Sequence, residues 1–159
     1  MGTRVGDIDA GAVVRLGEVL KCSLEDLEKF FYTRSGILGI SGKSNDIRDL
    51  LTLEFQGDTR AKLALDVFVY RIQKYIGSYV AVLGGLDMLV FCATIGERSF
   101  VIRERVCRNL NTFGIVLDVE KNKAAVSKDA FIQKDGVPVA VITTDEMGEI
   151  ARETVALTS

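Results

Sequence analysis

The 159-residue sequence contains no histidine, so the side chain that most often shuttles protons near neutral pH is missing. Any chemistry must then rest on Arg, Lys, Asp and Glu, a restriction that phosphoryl transfer tolerates because its catalysis is mostly positioning and charge neutralisation. Cysteine is scarce: Cys22, Cys92 and Cys107 are odd in number and irregularly spaced, with no C-x-x-C pair to start a zinc site. They are expected as reduced core thiols. Neither sign of charge dominates, since twenty basic residues face twenty-two acidic ones for a formal charge of -2. No run of about five like charges occurs either, so no nucleic-acid partner is expected. The most apolar stretch, Val80 to Ile95, is interrupted by Gly84, Gly85 and Asp87, and the N-terminus lacks a basic-then-apolar leader. No membrane association is expected, and a cytoplasmic location is. Proline occurs once, and there is no repeat, low-complexity tract or linker, so one domain over 1–159 is the simplest organisation.

What is present is a chain able to bury a core, with 48% hydrophobic residues. Val13, Val14, Leu16, Val19 and Leu20 predict a helix over about 9–21. Ser23 caps a second helix striped by Leu24, Leu27, Phe30 and Phe31, with Gly36 as its left-handed C-terminal residue. An irregular loop over 36–46 precedes a short helix, Ile47 to Phe55, ended by Gly57. The longest helix, 58 to about 83, shows one broad apolar face and belongs in the centre of the domain. Leu86 to Ala93 reads as a buried strand, and a helix restarts near Ser99 and closes by Gly114. Ile115 to Leu117, Ala130 to Gln133 and Val137 to Ile142 are strand candidates, with Asp135-Gly136 a hairpin turn, and a last helix covers about 145–157. The alternation indicates an α/β fold with one mixed sheet.

Three segments can carry chemistry. Phe91-Cys92-Ala93-Thr94-Ile95-Gly96-Glu97-Arg98-Ser99 is a strand feeding a tight turn and a helix, which gathers free backbone N–H groups and the positive dipole end, as phosphate binding requires. The plainer alternative is a strand-to-helix turn capped by Ser99. In Asp46-Ile47-Arg48 the arginine can stack on a base and the aspartate can accept a ribose or amide proton; equally, Asp46 is a helix cap and Arg48 a solvated side chain. Glu146, in Thr143-Thr144-Asp145-Glu146-Met147, is by position an acid at a helix start, favoured by the helix dipole.

Met1-Gly2-Thr3-Arg4-Val5-Gly6-Asp7-Ile8-Asp9 resembles the M-G-T-R-x-G-D-[LI]-D-P segment of acetate and propionate kinases. Ser44-Asn45-Asp46-Ile47-Arg48-Asp49-Leu50 is similar to their S-S-D-[FM]-R-D-[IL] segment, and Phe91 to Ser99 to their F-T-[AG]-G-I-G-E-N-S turn. Thr143 to Met147 resembles P-T-[ND]-E-E-L, and further stretches such as Ser35 to Gly42, Lys74 to Tyr79 and Ile150 to Thr154 extend the likeness over nearly the whole chain. The departures are Thr94 for Gly, Arg98 for Asn, Thr143 for Pro and Met147 for the second Glu.

The resemblance implies a ribonuclease-H-like domain of the acetate and sugar kinase, Hsp70 and actin type, here the C-terminal, nucleotide-binding half. It implies the reaction ATP plus acetate giving ADP plus acetyl phosphate, with ATP/ADP and Mg2+ as cofactors. Arg4 then steadies the transferring phosphoryl group, Asp46, Ile47 and Arg48 flank adenine and ribose, Thr94, Ile95, Gly96, Glu97 and Arg98 form the adenosine-side turn, and Glu146 helps to hold magnesium. In the family a nucleotide-fold half carrying the acid pocket precedes the Met1 segment, so acetate or propionate would bind only together with an N-terminal half, and the chain alone is expected to be inactive. It reads as half of a split enzyme with a separate N-terminal polypeptide, as a truncated gene product, or as a repurposed domain. The alternative function is a non-catalytic dimerisation or nucleotide-binding module, since the family forms homodimers through this half. Acetate against propionate, and ATP against GTP, stay open.

Overall fold

Asp9 accepts a hydrogen bond from the Ala12 amide at 3.1 Å and so starts α1 (Ala10–Leu20) in the computed structural model, which describes residues 1–158. The chain divides into two compact units, Met1–Arg71 and Ile72–Ser159. Among the described residues no helix is long and apolar enough to cross a membrane.

In the first unit α1 is followed by α2 (Leu24–Thr33), where Ser23 accepts from the Asp26 amide at 3.1 Å in the expected capping position. Gly36 does not end α2; Arg34 does, and Gly36 instead opens a further helix, α3 (Gly36–Ser41), where a loop was expected. The reason lies at residues 1–3. Met1 and Gly2 carbonyls accept from the Ile37 and Leu38 amides at 3.1 and 3.0 Å, and Thr3 accepts from Ser35 at 2.8 Å, so this strand-like segment satisfies the orphan donors of α3. A Cβ on Gly36, at φ +59, would stand 2.6 Å from the Met1 carbonyl oxygen. Glycine is required here for close backbone approach rather than for stopping a helix.

Then come α4 (Ile47–Phe55), with the expected bounds, and α5 (Thr59–Leu83). Leu27, Ile37, Ile47, Leu50, Ala61, Ala64, Leu65 and Val69 form this unit's core. The broad apolar face expected along all of α5 is buried only in its first half; Tyr75, Tyr79, Val82 and Leu83 are exposed.

In the second unit Gln73, near the middle of α5, donates to the carbonyls of Arg105 and Val106 at 3.2 and 2.9 Å. The elements that follow are β1 (Leu89–Phe91), α6 (Ala93–Arg98), α7 (Phe100–Cys107), a 3-10 turn (Asn111–Phe113), β2 (Ile115–Leu117), α8 (Val119–Ala124), β3 (Ala130–Phe131), β4 (Gln133–Gly136), β5 (Val139–Val141) and α9 (Glu146–Thr158). The mixed sheet has the order β1-β5-β3, with β1 parallel and β3 antiparallel to β5. The strand expected over 86–93 is three residues long and lies at the edge, with Val90 46% exposed; the fully buried central strand is β5.

A separate antiparallel pair, β2 with β4, absorbs Asp135 and Gly136, which pair with Val116 and Ile115 instead of forming the expected hairpin turn. Gly136, at φ +77, is again a close-approach residue, since its Cβ would fall 2.2 Å from the Gly114 carbonyl oxygen. Ile102, Val106, Leu110, Ile115, Ile132, Val139 and Val141 fill the core. Of the three thiols only Cys107 is a core residue, and burial pushes it up to about 12; Cys22 is half-buried and Cys92 exposed, which corrects the expectation of three core cysteines.

Candidate functional site

Arg4 is exposed, but its backbone is held on both sides: Thr3 accepts from Ser35, and the Val5 amide donates to Phe31 at 2.9 Å. Its guanidinium lies over the Tyr32 ring, 5.9 Å from the centroid. Arg71 of α5 pairs with Asp7 and approaches Gly6, fixing the rest of the motif. Gly2 lies beside Asn45, where an added Cβ would meet the Asn45 carbonyl oxygen at 3.5 Å, so the first unit brings the opening motif against the segment that starts α4.

At that start Asp46 is the N-cap of α4, accepting from the Arg48 amide at 2.8 Å. Its carboxylate also takes the Arg48 guanidinium through Nε at 3.1 Å and Nη2 at 2.5 Å. These bonds from the Arg48 side chain and amide hold the Asp46 carboxyl at about 2, and the same pairing raises Arg48. Asp46 is thus a cap, and it also holds an arginine whose side chain is 87% exposed. Ile47 is 5% exposed and belongs to the core.

In the second unit Thr94, Glu97 and Arg98 of α6 and Thr144, Asp145, Glu146 and Met147 at the start of α9 line one cleft of about 220 Å³, with Ala93 at its edge. The sequence places these two walls far apart; the sheet brings them together, because β1 and β5 run parallel and side by side and each leads into one wall. The turn after β1 is a short helix, and Ala93 enters it at φ +58, a backbone region a residue with a Cβ rarely adopts. Gly96 packs against the end of β1, where a Cβ would meet Phe91 carbon at 3.3 Å. Ile95 is partly exposed, and Arg98 is exposed and makes no ion pair among the described residues.

Glu97 differs from its neighbours. Its Oε1 accepts from both the amide and the hydroxyl of Thr144, at 2.9 and 2.8 Å, and the Ala93 amide donates to the carboxylate as well. The Thr144 bonds, chiefly, lower its pKa. The adjacent Thr143 is held the same way by Asp129, through amide and hydroxyl at 2.7 Å each. Where the resembled family has proline, this chain has a backbone donor, and Asp129 uses it.

Beneath α6 lies a side chain to which the motifs gave no clue. Arg103 is 0% exposed and faces no carboxylate; it donates to the carbonyls of Gly96, Glu97, Asn122 and Ala125 at 2.7 to 3.0 Å and to Asn122 Oδ1 at 2.8 Å. These are the orphan acceptors at the C-terminal ends of α6 and α8, where a cation is also favoured by the helix dipoles. The only hint in the sequence is that Arg103 falls on the buried stripe of α7, beside Ile102, Val106 and Cys107.

Among the described residues no group of three or more His, Cys, Asp or Glu is placed to hold a metal ion. Glu146, the first residue of α9, is exposed and offers a single carboxylate. That donor set fits a hard divalent ion that takes its other ligands from phosphate and water oxygens, and does not fit an all-protein cage.

The acetokinase family profile matches residues 1–152. Acetate kinase of Shouchella clausii is 48% identical over 161 aligned positions, and that of Acetivibrio thermocellus 45% over 159. Each alignment covers essentially all of this chain and 40% of the relative, so the chain spans well under half the length of the proteins it matches. The crystal structure of Porphyromonas gingivalis acetate kinase superposes with a TM-score of 0.91 at 38% identity, over 100% of this chain and 40% of that one. A propionate kinase from Francisella tularensis gives 0.83 at 35%, over 92% and 37%. These neighbours carry the actin, Hsp70 and ribonuclease-H-like kinase fold, to which the α/β arrangement here conforms. The chain belongs to the acetokinase family.

Proposed function

We propose that these residues are the C-terminal, nucleotide-binding half of a carboxylate phosphotransferase that converts ATP and acetate to ADP and acetyl phosphate. The observation that carries this reading is the cleft in which the α6 turn, with Thr94 and Arg98, meets the start of α9, with Glu146. The Thr94 hydroxyl and the Arg98 guanidinium on one wall, facing a carboxylate on the other, suit a phosphorylated ligand that arrives with its own cation.

The residue roles follow from chemistry. Thr94, Ile95 and Gly96 present the adenosine-side surface, with Thr94 filling space that glycine would leave open, and Arg98 supplies charge to phosphate oxygens. Asp46 holds Arg48 as a preformed stacking side chain for base or ribose, with Ile47 anchoring the helix that carries them. Arg4, on a segment pinned to α3, spreads positive charge over the transferring phosphoryl group. Glu146 would hold Mg2+ together with phosphate oxygens; when bound, the ion neutralises charge on those phosphates.

The acid is acetate or propionate, bound by an N-terminal half, and the working protein is a cytoplasmic homodimer. Support for pairing comes from Tyr79, Val82 and Leu83 at the end of α5, which stand exposed in the second unit. Equilibrium dialysis of the purified chain against labelled ADP with magnesium tests the cleft. Saturable binding that Arg98→Ala weakens about tenfold or more supports it, as expected for loss of a charge-assisted phosphate contact; no retention by folded protein refutes it.

A further inference from the structure

Glu97 lines the cleft, yet the residue is only 8% exposed and its Oε1 already accepts two hydrogen bonds. Two of its donors come from Thr144, 47 positions away, and a third is the Ala93 amide. We propose that Glu97 is a positioning residue that couples the two walls, fixing α6, with Thr94 and Arg98, against the start of α9, with Glu146. This rests on the nucleotide reading of the cleft and deepens it by assigning how nucleotide and metal ion are felt by one another.

The geometry makes the coupling direct. Thr144 is two residues before Glu146, and the bond from its amide fixes the backbone that leads into α9. On the other wall, the Ala93 amide is the entry to α6, at the residue whose left-handed conformation sets the direction of the turn. The Glu97 carbonyl is in turn held by Arg103 at 3.0 Å and accepts from the Ser127 amide at 3.2 Å, so the backbone carrying the carboxylate is fixed from behind. Hydrogen bonds to an ionised acceptor are about twice as strong as neutral ones, so a single carboxylate with three converging donors is a stiff joint. Removing it frees Thr144 from α6 and so loosens the start of α9 against the turn.

Calorimetric titration of the full chain with ADP, with and without magnesium, tests the coupling. The wild type is expected to bind ADP more tightly when magnesium is present. Glu97→Ala should lose about fivefold or more of the magnesium enhancement, read as the ratio of its ADP affinities with and without magnesium. Glu146→Gln should abolish the same enhancement, and the double variant should show no further loss. Thr144→Val, which keeps the amide bond and removes the hydroxyl bond, should fall between. Equal weakening of ADP with and without magnesium, or no change in either, overturns the proposal.

If the wild type binds no ADP at all, the nucleotide reading fails, and the joint is judged by amide hydrogen exchange on the same proteins. Glu97→Ala should then speed exchange at Thr144, Ala93, Gly148 and Glu149 about tenfold or more, with β5 amides unchanged. Unaltered exchange at those four amides overturns the joint itself.

Discussion

Asp46 shows how one side chain can serve the helix and the site together. Its carboxyl, held at about 2 by the Arg48 guanidinium and amide, is ionised in both folded and unfolded chains above the ordinary carboxylate range. Asp58, Glu97 and Asp129 are lowered in the same sense, by Lys43 and the Ala61 amide, by Thr144 and by Thr143. A carboxyl whose folded value lies below its unfolded one adds stability that is present above the unfolded value and is lost as pH falls through the folded one. Urea midpoints should therefore hold steady from pH 7 to about 5 and drop steeply between about 4 and 2. The Asp46→Asn variant should show a shallower acid fall than wild type. Gly36 is the other decisive residue: Gly36→Ala places a methyl 2.6 Å from the Met1 carbonyl oxygen in a conformation that costs about 1–2 kcal/mol for an L-residue. Exchange of the Ser35, Ile37 and Leu38 amides, protected by residues 1–3 in the wild type, should rise in that variant while α5 amides keep their protection.

At the scale of elements, the helices with strong local signals were legible and the contacts that join them were not. Ser23 and the stripe from Leu24 to Phe31 predict α2, and α4 matches residue for residue, because caps and helical periodicity are written within a few positions. Gly36 and the pair Asp135-Gly136 were misread for a common reason. Local rules assign a left-handed glycine to a helix end or a turn, whereas both glycines answer to a distant carbonyl, of Met1 and of Gly114, that sequence spacing does not reveal. The candidate site was legible as motifs; that Glu97 faces Thr144 rather than remaining a free acid could not be read from spacing. Arg103 was invisible for the same cause, being a charged residue on an apolar stripe. Its removal tests the packing of α6 on α8: Arg103→Met leaves several buried carbonyls without donors and should cost on the order of 3 kcal/mol. Thermal unfolding should fall by about 6–12 °C, with the loss of protection centred on the amides of Ser99 and Ser127.

For the whole molecule, the family is established by residues 1–152 and by close superposition on solved acetate kinases, while the chain accounts for 40% of those proteins. The proposal gives that portion the nucleotide and metal side of the reaction, and the acid side to an N-terminal half. Acetyl phosphate formation by the 159 residues alone, trapped as its hydroxamate, should not rise above a no-protein control. Backbone amide shift mapping during addition of ADP and magnesium tests whether nucleotide sits on the α6 turn and the start of α9. Saturable shifts are expected at residues 93–98 and 144–147, with α1 and α2 unmoved. Shifts absent at saturating ADP, or centred on the α1–α2 hairpin, would contradict that placement.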